Sequence, residues 1–167
     1  MIFRLPVVTE PVDQGDIIDD CPLVFLETFD PANGVPIGLG HALHRIIVVT
    51  QTCDLAQGKL SQVSVAAMIE AQLLVDRQVL KKADVKGPIR AGRVYGWYFL
   101  PRHPDLGLPE SIVDLRYLHT VRLDLLQALC RLGKRLARLQ PLYREHLAKH
   151  FADTYSRIGL PEPYATE

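Results

Sequence analysis

The amino-acid sequence predicts an α+β domain: a small, curved, mostly antiparallel sheet or small β-barrel with one inserted helix, followed by a C-terminal helical region. Three observations lead there. Within residues 1–122, five or six short β-branched or alternating segments are separated by Gly, Pro, Asn and Asp. One stretch of near-helical apolar spacing, 69–83, interrupts them, and residues 123–167 carry the helix period. At 167 residues and 48% hydrophobic content, the chain can bury one core without disulfide staples, so residues 1–167 read as a single domain.

Each element has its own warrant. Gln14-Gly15-Asp16-Ile17-Ile18 is a turn entering a short strand that Asp19-Asp20-Cys21-Pro22 stops, and Leu23-Val24-Phe25-Leu26 is a second strand. Asp30 to Gly40 is dense in turn formers and predicts a surface loop. A strand over 44–50 follows, then a turn at Ala56-Gln57-Gly58-Lys59 and an alternating strand from Val63 to Met68. Ile69, Leu73, Val79, Leu80 and Ala83 predict the inserted helix, which Gly87-Pro88 ends. Arg93 to Pro101 is aromatic and β-branched, and Ser111 to Leu115 is a further short strand. Helices are predicted over 123–130 and from Leu142 to Ile158. The longer one carries a stripe of Tyr143, Leu147, Phe151, Tyr155 and Ile158, with Pro141 at its start and Gly159 and Pro161 at its stop. Arg144, Lys149 and Asp153 are expected in water.

Three cysteines, Cys21, Cys53 and Cys130, form an odd set without CxxC spacing, which argues against a disulfide framework or a zinc ribbon and for a reducing cytoplasm. No basic leader precedes an apolar stretch, and no run approaches the ~20 apolar residues that span a bilayer, so a soluble protein without membrane partners is expected. Charge is unevenly placed: residues 1–115 carry a net −4, residues 116–157 a net +6 and the last ten −2. The densest basic run, 131–138, makes Arg131, Lys134, Arg135 and Arg138 candidate contacts to a nucleic-acid backbone. Docking of basic helix surfaces on the acidic first part is the alternative.

The apolar run Ile46 to Val49 ends abruptly in Thr50, Gln51, Thr52, Cys53 and Asp54, and chemistry often sits at such a strand mouth. Cys53, Asp54 and Arg45 are the candidate catalytic residues; Thr50, Gln51, Thr52 and His44 are candidate substrate contacts. A thiolate needs a nearby cation, which the adjacent Asp54 is not; a structural cysteine beside a turn-forming aspartate is the alternative. If the strand continued, Thr50, Thr52 and Asp54 would share one face and Gln51 and Cys53 the other. The amide of Gln51 suits base edges or amides. Tyr95, Trp97 and Tyr98 either stack on bases or fill the core. His146 and His150 stand at i and i+4, but the HExxH pattern is absent and Lys149 lies between them. They read as solvent-facing, and no metal or cofactor is expected.

Gly15-Asp16-Ile17-Ile18, Arg45 before the strand Ile46 to Thr50, and Val63-Ser64-Val65-Ala66 together resemble the MazF/PemK-like growth inhibitors over roughly the first 70 residues. That resemblance implies an SH3-like β-barrel and RNA cleavage, with Arg45 matching the family's arginine. The segment from Thr50 to Leu55 departs from the family pattern, and the C-terminal region has no counterpart in it. Across most of the chain, Thr50 to Leu55 with Tyr143-Arg144-Glu145-His146-Leu147 and Arg157-Ile158-Gly159-Leu160-Pro161 also looks like a group of bacterial proteins with a TQxCDL motif. That likeness implies no activity, but it directs attention to a pocket shared by the strand mouth and the final helix.

Three functions follow as expectations. The first is RNA binding or metal-independent RNA cleavage at the end of strand 45–50, with Arg45 stabilising phosphate charge and Asp54 or His44 moving the proton. The second is a non-catalytic protein–protein interaction module of a larger bacterial assembly, with other subunits or a second copy as partner. The third is a Cys53-dependent hydrolase.

Overall fold

The computed structural model describes residues 1–156. Seven strands make one antiparallel sheet in the order β1-β7-β2-β3-β4-β6-β5. They are β1 (Phe3–Arg4), β2 (Asp16–Phe29), β3 (Pro36–Val48), β4 (Gln62–Glu70), β5 (Trp97–Leu100), β6 (Ser111–Arg122) and β7 (Arg135–Leu139). The helices are α1 (Thr52–Ala56), α2 (Ala71–Asp76), α3 (Lys82–Asp84), α4 (Leu123–Arg131) and α5 (Pro141–Tyr155). The domain is α+β, and its sheet is not closed into a barrel: β1 and β5 are its two edges.

Strand alternation loads both faces. Ile17, Ile47, Val49, Ala66, Val113 and Leu115 point to the side that Leu147 of α5 covers, with Phe3 and Leu139. Ile18, Ile46, Val48, Val63, Val65 and Val121 point to the other, against Leu126, Leu129 and Cys130 of α4. Full burial of each such aliphatic side chain is worth about 1.5–3 kcal/mol. A third cluster, with Ala71, Leu74, Val85, Ile89, Trp97 and Ile112, seats α2 at the β5–β6 end.

Several sequence expectations change. Asp19-Asp20 does not stop the first strand: Asp20 takes φ 54° at a bulge between Ile18 and Cys21, and β2 runs on for 14 residues. The expected loop 30–40 contracts to a tight turn before Pro36. In it, Asp30 Oδ1 accepts the Ala32 N–H at 2.8 Å and Asn33 Oδ1 accepts the Val35 N–H at 2.9 Å. The inserted helix 69–83 does not form as one piece. Ile69 belongs to β4, opposite Ile112; α2 ends at Asp76, Gln78 turns with φ 59°, and α3 adds a single turn. β6 extends to Arg122 because its second half pairs with Gln62 to Ala66. The C-terminal part, 123–167, is not wholly helical, since β7 returns to the sheet between β1 and β2. The helices predicted over 123–130 and from Leu142 are present as α4 and α5. Ile158, Gly159 and Pro161 lie outside the described residues. Among the described residues, no helix is long and apolar enough to cross a membrane.

The β2–β3 hairpin outreaches the sheet. β7 pairs with β2 only from Asp16 to Ile18, and β4 pairs with β3 only from Ile46 to Val48. From Cys21 to Phe29 and from Pro36 to His44 the two strands pair with each other alone. On one face of this ribbon the Phe25 ring lies over Gly40, where a Cβ would stand 2.7 Å from it. The opposite face presents Val24, Leu26, Ile37, Leu39 and Leu43, all between 49% and 71% exposed.

Candidate functional site

The strand mouth opens into a pocket of about 470 Å³ facing α5. Val49, Thr50, Gln51 and Asp54 line one side, Leu60, Gln62 and Ser64 another, and Ala148, Phe151 and Ala152 of α5 the third. Gln14 lies at the back, buried, with its Nε2 donating to the Val49 carbonyl at 3.1 Å. Thr50 closes the strand end: its Oγ1 accepts the Ser64 N–H at 2.7 Å. The pocket lies between the strand mouth and α5, but its α5 lining, Ala148, Phe151 and Ala152, falls after the segment Tyr143 to Leu147 that the TQxCDL likeness named.

The chain does not continue as a strand through the mouth. Asp54 and Leu55 donate their N–H groups to the Gln51 carbonyl at 3.1 and 3.2 Å, and α1 turns from Thr52. Helical spacing replaces alternation, so Gln51 and Asp54, three apart, share the pocket, while Thr52 and Cys53 are not among its lining. The Thr52 Oγ1 is buried without a hydrogen-bond partner among the described residues. Cys53 is exposed, with its thiol 3.6 Å from Gln51 Oε1 and 3.8 Å from Asp54 Oδ1. Neither partner is a cation, so the geometry does not assemble an activated thiolate.

Arg45 and His44 are separated from the pocket. Five residues of extended strand put Arg45 roughly 16 Å from Thr50. Its guanidinium grips Asp19 at 2.9 Å and reaches the Gly107 carbonyl at 3.5 Å. His44 sits across from Cys21 near His119, whose imidazole is pushed down by burial and by His44. A phosphate-stabilising Arg45 beside an Asp54 base is thus not assembled.

The basic run 131–138 is divided. Arg131 is exposed on α4, and Lys134 is paired with Asp20 at 2.6 Å. Arg135 and Arg138, expected on a phosphate-tracking surface, are instead buried. Arg135 donates to the carbonyls of Val7, Glu10 and Pro11 and pairs with Asp16 at 3.2 Å. Arg138 holds Asp16, Glu10 and the Pro11 carbonyl. The reason is topological: β7 lies beside the acidic start of β2, and the register shift between Ile17 and Ile18 puts Arg135 and Arg138, three apart, on the same side as Asp16, under the N-terminal strap. These pairs join the basic segment to the acidic first part, as the alternative reading had it, but through strand β7 and not through helix surfaces. Arg144, expected in water, joins them through Asp13 at 2.6 Å.

Trp97 and Tyr98 are buried, and the Tyr98 hydroxyl donates to the Tyr143 carbonyl at 3.2 Å. Tyr95 is exposed. His146 is exposed, but His150 is buried against Tyr98, which corrects the expectation of two solvent-facing imidazoles. Burial, with a smaller contribution from His146, pushes His150 below its ordinary pKa. Among the described residues, no three His, Cys, Asp or Glu side chains converge as metal ligands.

Sequence reasoning did not single out Gln14, Gln62, Ser64 or Phe151 as pocket residues. Only Phe151 left a signal, as a member of the final helix's stripe. It also passed over Ile37 and Leu39, whose alternation was masked by the flanking Pro36, Gly38 and Gly40. No protein-family model matches the chain, and no curated protein matches it.

Proposed function

We propose that this chain is a non-catalytic interaction module that docks on protein through its projecting β2–β3 hairpin. The observation that carries this reading is the ribbon face of Val24, Leu26, Ile37, Leu39 and Leu43, each of them 49% or more exposed. Contiguous apolar surface of this kind mostly marks interaction sites in folded proteins. A two-stranded ribbon is also only marginally stable in water by itself, so a covering partner supplies what the sheet does not. The candidate catalytic groups weigh against catalysis: Arg45 is committed to Asp19, Cys53 has no cationic partner among the described residues, and Arg135 and Arg138 are enclosed.

The test is face-specific photocrosslinking in cells. A photoreactive residue at Leu39 or Val24 is expected to give the same discrete adducts, and one at Glu27, on the opposite face of the ribbon, is expected to give none. Adducts from all three positions alike, or from none, would refute the reading.

A second reading is favoured by the pocket. Gln51, Gln62 and Asp54 offer donors and acceptors opposite the Phe151 ring, which suits the edge and face of a single nucleobase in RNA. Among the described residues its one charged lining side chain is Asp54, so base contacts rather than phosphate contacts would dominate. Titrating short RNA into the protein over a range of salt tests this. Binding with a shallow salt slope, lost in Phe151→Ala, is expected, and absence of binding at low salt would exclude it.

A further inference from the structure

We infer that the occupant of the exposed ribbon face is the same face of a second copy of this chain, packed about a two-fold axis. This rests on the interaction-module reading and names its partner. The register decides which residues share the face: Leu26 stands opposite Leu39, Val24 opposite His41 and Pro22 opposite Leu43. Directly paired residues project to one side of an antiparallel ribbon, and Ile37, two before Leu39, joins them.

Three properties select a second copy. The first is size. The five aliphatic side chains offer roughly 500 Å² of apolar surface per chain, so a two-fold pairing would bury about 1,000 Å², the area at which specific interfaces begin. The second is charge. Among the described residues on this face the one free ionisable side chain is His41, and Arg45 at its base is neutralised by Asp19 at 2.9 Å. A surface without carboxylates, lysines or unpaired arginines can lie against its own image without like-charge repulsion, whereas a charged partner would find nothing to pair with. The third is shape. A two-fold interface must be self-complementary, and a ribbon face of aliphatic side chains meets its image as a four-stranded sandwich. The Phe25 side, with Glu27, stays outward.

Sedimentation equilibrium of the purified protein over ~1–200 μM is the test, with a dimer expected to be lost on dilution. The double variant Leu26→Glu, Leu39→Glu is expected to weaken association roughly a hundredfold or more, because two buried aliphatic contacts become like charges across the axis. Its far-ultraviolet circular dichroism should match the wild type. If that variant misfolds, the photoreactive residue at Leu39 in otherwise wild-type protein gives the answer, with an adduct of twice the chain mass expected. A wild type that stays monomeric throughout, a dimer that persists in the folded double variant, or a purified Leu39 sample without dimer-mass adducts would each overturn the inference. If adducts to other proteins still form in cells, the interaction-module reading survives that loss; if none form, both fall.

Discussion

Arg138 holds Asp16 through two hydrogen bonds, Nε to Oδ1 at 2.6 Å and Nη2 to Oδ2 at 2.8 Å, with both side chains enclosed between β7 and the strap at residues 7–13. Such a pair is a matter of balance: each charge is tolerable in the interior only while the other is present. Arg138→Ala is therefore expected to lower stability by about 3–5 kcal/mol, because the Asp16 carboxylate loses its better-aligned charged partner and keeps the 3.2 Å contact to Arg135 and the Asp13 N–H at 3.0 Å. Urea denaturation followed by circular dichroism checks this. A loss under about 1 kcal/mol would show that water compensates the carboxylate.

Gly96 has φ 82°, and a Cβ there would stand 2.5 Å from Cγ of Arg116. Arg116 in turn lies 4.0 Å over the ring of Trp97 and pairs with Asp114. Gly96→Ala should cost about 1–2 kcal/mol from the left-handed backbone alone. It should also move the guanidinium off the ring, and because Trp97 is the one tryptophan of the chain, its fluorescence reports that shift directly. Unchanged emission would mean that Arg116 yields without leaving the indole.

His150 contributes a defined pH dependence. Burial holds its pKa below the ordinary value of 6.5, so between the folded and unfolded values the unfolded chain binds more protons. Stability is then full above about pH 6.5 and falls as the pH drops through the window below it. Tyr98, His146 and Asp153 face the same imidazole and stay in place in the control. His150→Leu is expected to flatten the midpoint between pH 7 and 5, measured by thermal unfolding; a slope equal to the wild type's would assign the effect to another group.

The cysteines should separate cleanly under alkylation. Cys53 is exposed, whereas Cys21 and Cys130 are buried and their thiols are pushed up by desolvation, Cys21 to about 11. Iodoacetamide at neutral pH should add one group to the native chain and three after denaturation, counted by intact mass. Cys53→Ser should leave the fold unchanged, since its side chain is outside all three buried clusters. Native labelling of Cys21 would indicate opening between β2 and α4.

The elements legible in the sequence were those with a strong local period. Ile46 to Val49 and Val63 to Met68 announced β3 and β4 through β-branched alternation, and the spacing of Leu147 and Phe151 announced α5. β7 was not legible. Arg135-Leu136-Ala137-Arg138-Leu139 has no β-branched residue, and it becomes a strand because Asp16 and Phe3 supply partners far away in the chain. Asp19-Asp20 shows the converse, where turn chemistry that reads as a stop is absorbed in a bulge.

The amino-acid order by itself determined the α+β class, the place of the polar mouth at residues 50–54 and the two main helices, since each rests on neighbours within about ten residues. Tertiary structure alone decided that the basic run would neutralise Asp16 rather than face a ligand, because which strand lies beside β2 is a long-range outcome. It alone brought Phe151 to Gln51 across the pocket. And it alone left Leu26 and Leu39 without cover, because β4 and β7 end their pairing before the hairpin does. Side-chain period is a local property of the chain; exposure is a property of what else the sheet reaches.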